Sequence, residues 1–156
     1  MLALLISVGS LAIHFATKES APEMPAVAFE EFKLSDAMDA LYTTVGEKHD
    51  VAMLLMKDIE IVRSKLRIQL KRTKEEAKKE RILNLLTALK KADDGMMTWM
   101  REFKNTDLND EEYKAMSEAE IEAYLKEEEV KIEQVHQDML SSIKDGKKYF
   151  TDNLIH

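Results

Sequence analysis

Apolar residues recur in steps of three and four along most of the chain, and they fall into three runs. Over residues 35–72 they are Met38, Leu41, Val45, Ala52, Leu55, Met56, Ile59, Val62, Leu66 and Leu70. That spacing lines one face of a helix for about nine turns. Ser35 stands where an N-cap belongs. Over residues 74–104 the run is Ile82, Leu85, Leu86, Leu89, Ala92, Met96, Trp99, Met100 and Phe103, and Thr73 with Glu76 reads as a capping box that restarts the chain after a turn. Residues 105–112 are polar and turn-like. Ser117 with Glu120 is a second capping box, and the third run over residues 118–152 is Ile121, Leu125, Ile132, Val135, Met139, Ile143 and Tyr149, thinned by Glu128 and Ser142. All three repeat near 3.5 residues, which favours shallow, coiled-coil-like crossing. A tight turn and then a loop of about a dozen residues predict an all-α, antiparallel, up-down-up three-helix bundle over residues 35–156.

The first 34 residues break this pattern. Residues 1–16 carry no Asp, Glu, Lys or Arg and include Leu2, Leu4, Leu5, Ile6, Val8, Leu11, Ile13 and Phe15. As a helix they would reach about 24 Å, short of a full bilayer span but suited to a signal or membrane-anchor segment. Residues 17–34 read as a polar tether, because Pro22 and Pro25 exclude regular helix and Glu19, Glu23, Glu30 and Glu31 keep it solvated. Phe29 and Phe32 are candidates to dock on the bundle. The expected address is the cell envelope on the exported side, with membrane attachment through the N-terminal segment.

Composition narrows the functions. Four Gly and two Pro in 156 residues leave no material for phosphate-cradling loops or β-sandwich turns. With no cysteine there is no disulfide framework, thiolate zinc site or cysteine nucleophile. No serine has a convincing His and Asp set, so the chain reads as non-enzymatic, with no cofactor. A net charge of −7 argues against a nucleic-acid partner, which must have its phosphates neutralised. The charge is unevenly spread: residues 63–81 hold nine basic side chains against three acidic ones. Arg63, Arg67, Lys71, Arg72 and Lys74 form a candidate interaction tip, with Lys144, Lys147 and Lys148 expected at the same end. Asp107 to Glu129 is mostly acidic. An anchored N-terminus would hold the basic tip about 55 Å from the membrane. That end could dock an anionic partner, and a protein partner is the expectation; the plainer reading is a solvated helical surface.

Ten methionines are an excess for so polar a chain, and five of them lie in two short windows. His49, Met53 and Met56 share one helix face; Asp93, Met96, Met97 and Met100 share another. A hairpin turning near residue 73 sets His49 opposite Met97 and Met53 opposite Asp93. Imidazole with thioethers is a soft ligand set suited to Cu(I). The alternative to a plain binding module is therefore a Cu(I) or Ag(I) site from His49, Met53, Met56, Met96, Met97 and Met100, although adaptable core packing around Trp99 accounts for the same residues more simply. His136, with Met139 a tempting third arm, is expected about 16 Å along the axis from this cluster. Gly46 and Gly95, also near it, are candidates for close helix approach or a kink.

The segments Lys48-His49-Asp50…Met53…Met56 and Ala92-Asp93-Asp94-Gly95-Met96-Met97-Thr98-Trp99-Met100 resemble small exported proteins of Bacteroidota often labelled "viral A-type inclusion protein", over roughly residues 36–145. The resemblance implies a helical fold and an envelope address, and brings no activity. That group is typically lipid-anchored through a cysteine after the signal, which this chain lacks.

Overall fold

A computed structural model describes residues 32–154, and the signal or anchor segment 1–16 and most of the expected tether lie outside the described residues. The described chain is all-helical. Helix α1 spans Asp36–Met53, α2 Met56–Arg72, α3 Glu76–Glu102, the short α4 Asp110–Ala115, and α5 Glu118–Leu154. Helix α5 packs against α1, α2 and α3, and α2 packs against α3.

The buried residues follow heptads. Met38, Val45, Ala52, Ile59 and Leu66 are seven apart on α1 and α2; Ile82, Leu89 and Met96 are seven apart on α3. On α5, Leu125, Ile132 and Met139 form one line, and Ile121, Glu128, Ser142 and Tyr149 fall on a second of the same period. A strict heptad drifts about 20° per repeat on a straight helix of 3.6 residues per turn. The junction of α1 and α2 corrects that drift. Leu54 and Leu55 keep right-handed helical dihedrals, but Leu55 N–H donates to Ala52 C=O at 2.9 Å, a tighter i−3 bond, while the Leu54 to Asp50 bond stretches to 3.4 Å. One 3₁₀ step turns about 120° instead of about 100°, in the direction the heptad needs. The first run is thus one long helix with a tightened turn.

Contacts fix the alignment. Ser35 donates to Glu118, Lys48 pairs with Glu129 and Glu133, Lys147 with Asp58. Arg81 pairs with Asp152, and the Phe103 ring stacks near Tyr124 at 6.3 Å. The polar residues of the third stripe are accommodated locally. Buried Glu128 pairs with Lys131 at 2.8 Å, and Ser142 Oγ donates to Met139 C=O at 3.0 Å.

Two caps behave differently from each other. At Ser117 the box closes: Glu120 accepts from the Ser117 N–H at 2.7 Å, and Ser117 Oγ accepts from the Glu120 N–H at 3.3 Å. The box expected at Thr73 does not form. Thr73 closes α2, its hydroxyl bonding back to Gln69 C=O at 2.8 Å, and Glu75 takes the N-cap position of α3. The polar stretch expected as a turn contains α4, whose first turn is Asp110, Glu111 and Glu112, favourable at a helix N-terminus, and whose Tyr113 is fully buried. Tyr113 anchors a second, smaller core with Met38, Ile121 and Leu125, against which Phe32 and Leu34 also pack. The last residues assigned to the tether are therefore part of the bundle's end.

Neither Gly46 nor Gly95 supports close approach. A Cβ at Gly46 would meet nothing within 4 Å, and one at Gly95 would stand 4.0 Å from Val135 Cγ2. The helix crossing that needs glycine is at Gly146, where a Cβ would collide with Val62 Cγ1 and touch Leu66 and Leu89. Val is stiff at χ1, so it yields poorly. Gly46→Ala should raise stability by about 0.5–1 kcal/mol through helix propensity. Gly146→Ala should lower it by about 1 kcal/mol, overpacking outweighing the same gain. Denaturant melts of Gly146→Ala alone and combined with Val62→Ala check this; a loss that persists in the double variant means that the crowding at Val62 is not its cause.

Candidate functional site

His49 faces α3, as its stripe position implies. Its ring stacks on Trp99 with centroids 5.5 Å apart and an interplanar angle of 26°. The two numbers centre on residue 74, the midpoint of the turn between α2 and α3, so the hairpin register holds at this level. Nδ1 lies 3.0 Å from Asp50 Oδ1. Nε2 has no partner among the described residues.

The methionines divide by burial. Met96 is fully buried in the main core. Met56 and Met100 are half-buried against that core. Met53 and Met97 are 36% and 45% exposed. Asp93, expected opposite Met53, pairs instead with Arg63 at 2.8 Å, both side chains largely sheltered. Among the described residues no group of three His, Asp or Glu is arranged to hold a metal ion. His136 is nearer in level than expected: its neighbour Val135 faces Gly95. The expected offset treated the loop as a spacer, whereas α4 folds into it and brings the start of α5 level with Ser35. His136 still does not join His49. It lines a groove with Thr44, Lys48 and Val51, residues that lie on the opposite flank of α1 from His49 at about 100° per residue.

What the sequence reading missed is aromatic. The His49–Trp99 stack continues to Phe103 at 4.8 Å and on to Tyr124, and Tyr42 joins Phe103 at 5.7 Å. Tyr113 meets Tyr124 edge-on at 6.2 Å and Phe32 at 5.8 Å. The tyrosine hydroxyls then secure the backbone that leaves α3. Tyr124 Oη accepts from the Lys104 N–H at 2.7 Å, Tyr113 Oη donates to Lys104 C=O at 2.8 Å, and Tyr42 Oη accepts from the Thr106 N–H at 3.4 Å. Three elements thus hold the exit of one helix. The signal was present in the sequence as Tyr42, Tyr113, Tyr124 and Phe103, but the hydroxyls' partner is a backbone segment, which side-chain patterning does not reveal.

At the other end the basic residues separate into two groups. Arg63 is committed to Glu60 and Asp93, and those bonds, to Glu60 first, hold its guanidinium more firmly charged. Lys78, Lys79 and Arg81 pair with Glu75, Glu76 and Asp152, and Lys147 and Lys148 pair with Asp58 and Asp152. Arg67, Lys71, Arg72 and Lys74 are exposed and form no ion pair among the described residues. No family model, curated protein or solved structure matches this chain.

Burial pushes the Tyr124 phenol up to about 12 and raises Tyr113 as well. An unfolded tyrosine titrates near pH 10. The native state therefore holds these protons more tightly, and the stability involved is full below about pH 10 and is lost as pH rises toward about 12. Titration followed at 295 nm and by circular dichroism, compared with Tyr113→Phe and Tyr124→Phe, should show these two tyrosines ionising late, together with helix loss. Tyr113 and Tyr124 titrating near pH 10 with helicity intact would contradict it.

Proposed function

We propose that this chain is a non-enzymatic helical binding module of the cell envelope that engages an anionic partner through its basic end. The carrying observation is the set Arg67, Lys71, Arg72 and Lys74: exposed, adjacent, and without ion pairs among the described residues, in a chain that elsewhere pairs its charges repeatedly. Unpaired cations clustered on an otherwise acidic molecule create a local field that recruits and orients an anionic surface. The antiparallel up-down-up course belongs to this reading. It is supported by contacts whose numbers rise together between α1–α2 and α5 and run oppositely between α3 and α5. Export, attachment through residues 1–16 and kinship with the Bacteroidota proteins belong to the proposal too. Among the described residues no helix is long and apolar enough to cross a membrane.

A photo-crosslinking residue placed at Lys74 should trap an adduct in cells that disappears when Arg67, Lys71 and Arg72 are changed to Glu. No adduct above that formed from Ala123, at the acidic end, removes the proposal.

A second reading keeps the soft-metal site. It is favoured by the unpartnered Nε2 of His49, on the same flank of the helix as Met53 and Met56 and level with Met97 to Met100 through the Trp99 stack. Trp99 is the single tryptophan, so its fluorescence reports on this place alone. Cu(I) under reducing conditions, or Ag(I), should quench it saturably in the wild type and far less in Met97→Leu and His49→Ala. Quenching unchanged in both variants ends this reading.

A further inference from the structure

Helix α2 carries a second apolar line on its outer crest. Leu54, at the α1–α2 junction, and Ile61 and Ile68 on α2 are seven residues apart and are 77%, 41% and 50% exposed. At about 100° per residue they stand roughly opposite core Ile59. Lys57 and Lys71 lie to one side of this line, and Lys65 and Arg72 to the other or between its members. All four are exposed and none forms an ion pair among the described residues. The carboxylates of the same stretch are occupied, Asp58 by Lys147 and Glu60 by Arg63. The crest is therefore apolar along its ridge and cationic on its flanks, over about 21 Å from Leu54 to Ile68.

We propose that this crest lies on the surface of an anionic phospholipid bilayer. The inference rests on the reading of the basic end as a docking site and names what it docks on. Two observations choose lipid over a partner helix. At Ile61 and Ile68 the apolar line is one residue wide among exposed polar neighbours, a ridge that meets a plane better than it fills a groove. The flanking cations are mostly lysines, whose stems lie along apolar surface while the ammonium reaches toward phosphate. Anionic leaflets attract such clusters. The molecule's net charge of −7 turns its remaining surface away from the same membrane, so this face is also the one presented.

The chain has no cysteine, so one can be introduced at a chosen place. Full-length protein with Ser64→Cys, in the middle of the crest, is labelled with an environment-sensitive fluorophore. Vesicles of equal phosphatidylglycerol and phosphatidylcholine should raise and blue-shift its emission severalfold. Pure phosphatidylcholine should not, and about 0.5 M salt should reverse the change by screening. The label moved to Ser141→Cys, exposed on α5, should stay silent, which separates this contact from any attachment made by residues 1–16. Changing Lys57, Lys65, Lys71 and Arg72 to Gln, or Ile61 and Ile68 to Ser, should abolish the response with helicity unchanged. No response at Ser64→Cys, equal response to neutral vesicles, or equal response at Ser141→Cys overturns the inference. A response to soluble polyglutamate and not to vesicles also overturns it, while leaving the basic end as a docking site for an acidic polypeptide. A protein adduct at Lys74 without any vesicle response does the same.

Discussion

Strict seven-residue spacing of buried positions on three helices governs most of what this structure does. Helices that keep a heptad must supercoil or correct themselves, because 3.6 residues per turn does not match 3.5. Here the correction is local, in the single tightened bond at Leu55. It lets α1 and α2 present one continuous buried line from Met38 to Leu66 against α5. The same heptad fixes which residues must be small. Gly146 sits on the inner line of α5, where α2 and α3 both approach, and a larger residue there would force the helices apart.

The cores at the two levels of the bundle are of different kinds. The long core is aliphatic with Met96 and Trp99, and its polar intrusions are neutralised where they arise, Glu128 by Lys131 and Ser142 by the carbonyl one turn back. The acidic end is instead closed by rings and hydroxyls. Tyr42, Tyr113 and Tyr124 replace the hydrogen bonds that the chain forfeits as it leaves α3, and burial keeps Tyr113 and Tyr124 protonated. His49 belongs to this aromatic run as much as to any methionine group, since its ring stacks on Trp99.

The charge distribution has a complementary logic. Near the junction of α2, α3 and α5 most cations have partners, some reaching between helices, as Arg63 does to Asp93 and Arg81 to Asp152. On the outer crest of α2 they have none among the described residues. Structural pairing thus consumes the basic residues on the inner flanks and leaves the outer ones exposed.

The sequence by itself determined the helices, because side-chain periodicity is a local property. The three runs, the cap at Ser117, the level of His49 against α3 and the basic bias of residues 63–81 were all legible from spacing and charge. It could not determine what depends on neighbours distant in the chain. Thr73 looked like a cap for the next helix but bonds to the one behind it. Gly46 and Gly95 looked like points of close approach, yet only Gly146 faces a side chain from another helix closely enough to matter. Met53, Met56, Met96, Met97 and Met100 looked like one group, but packing sends them to the core, its border and the solvent in turn. Arg63 looked like a member of the tip until Asp93 claimed it. Each of these outcomes turns on which atoms meet across helices, and one-dimensional spacing records a face without recording what stands opposite it.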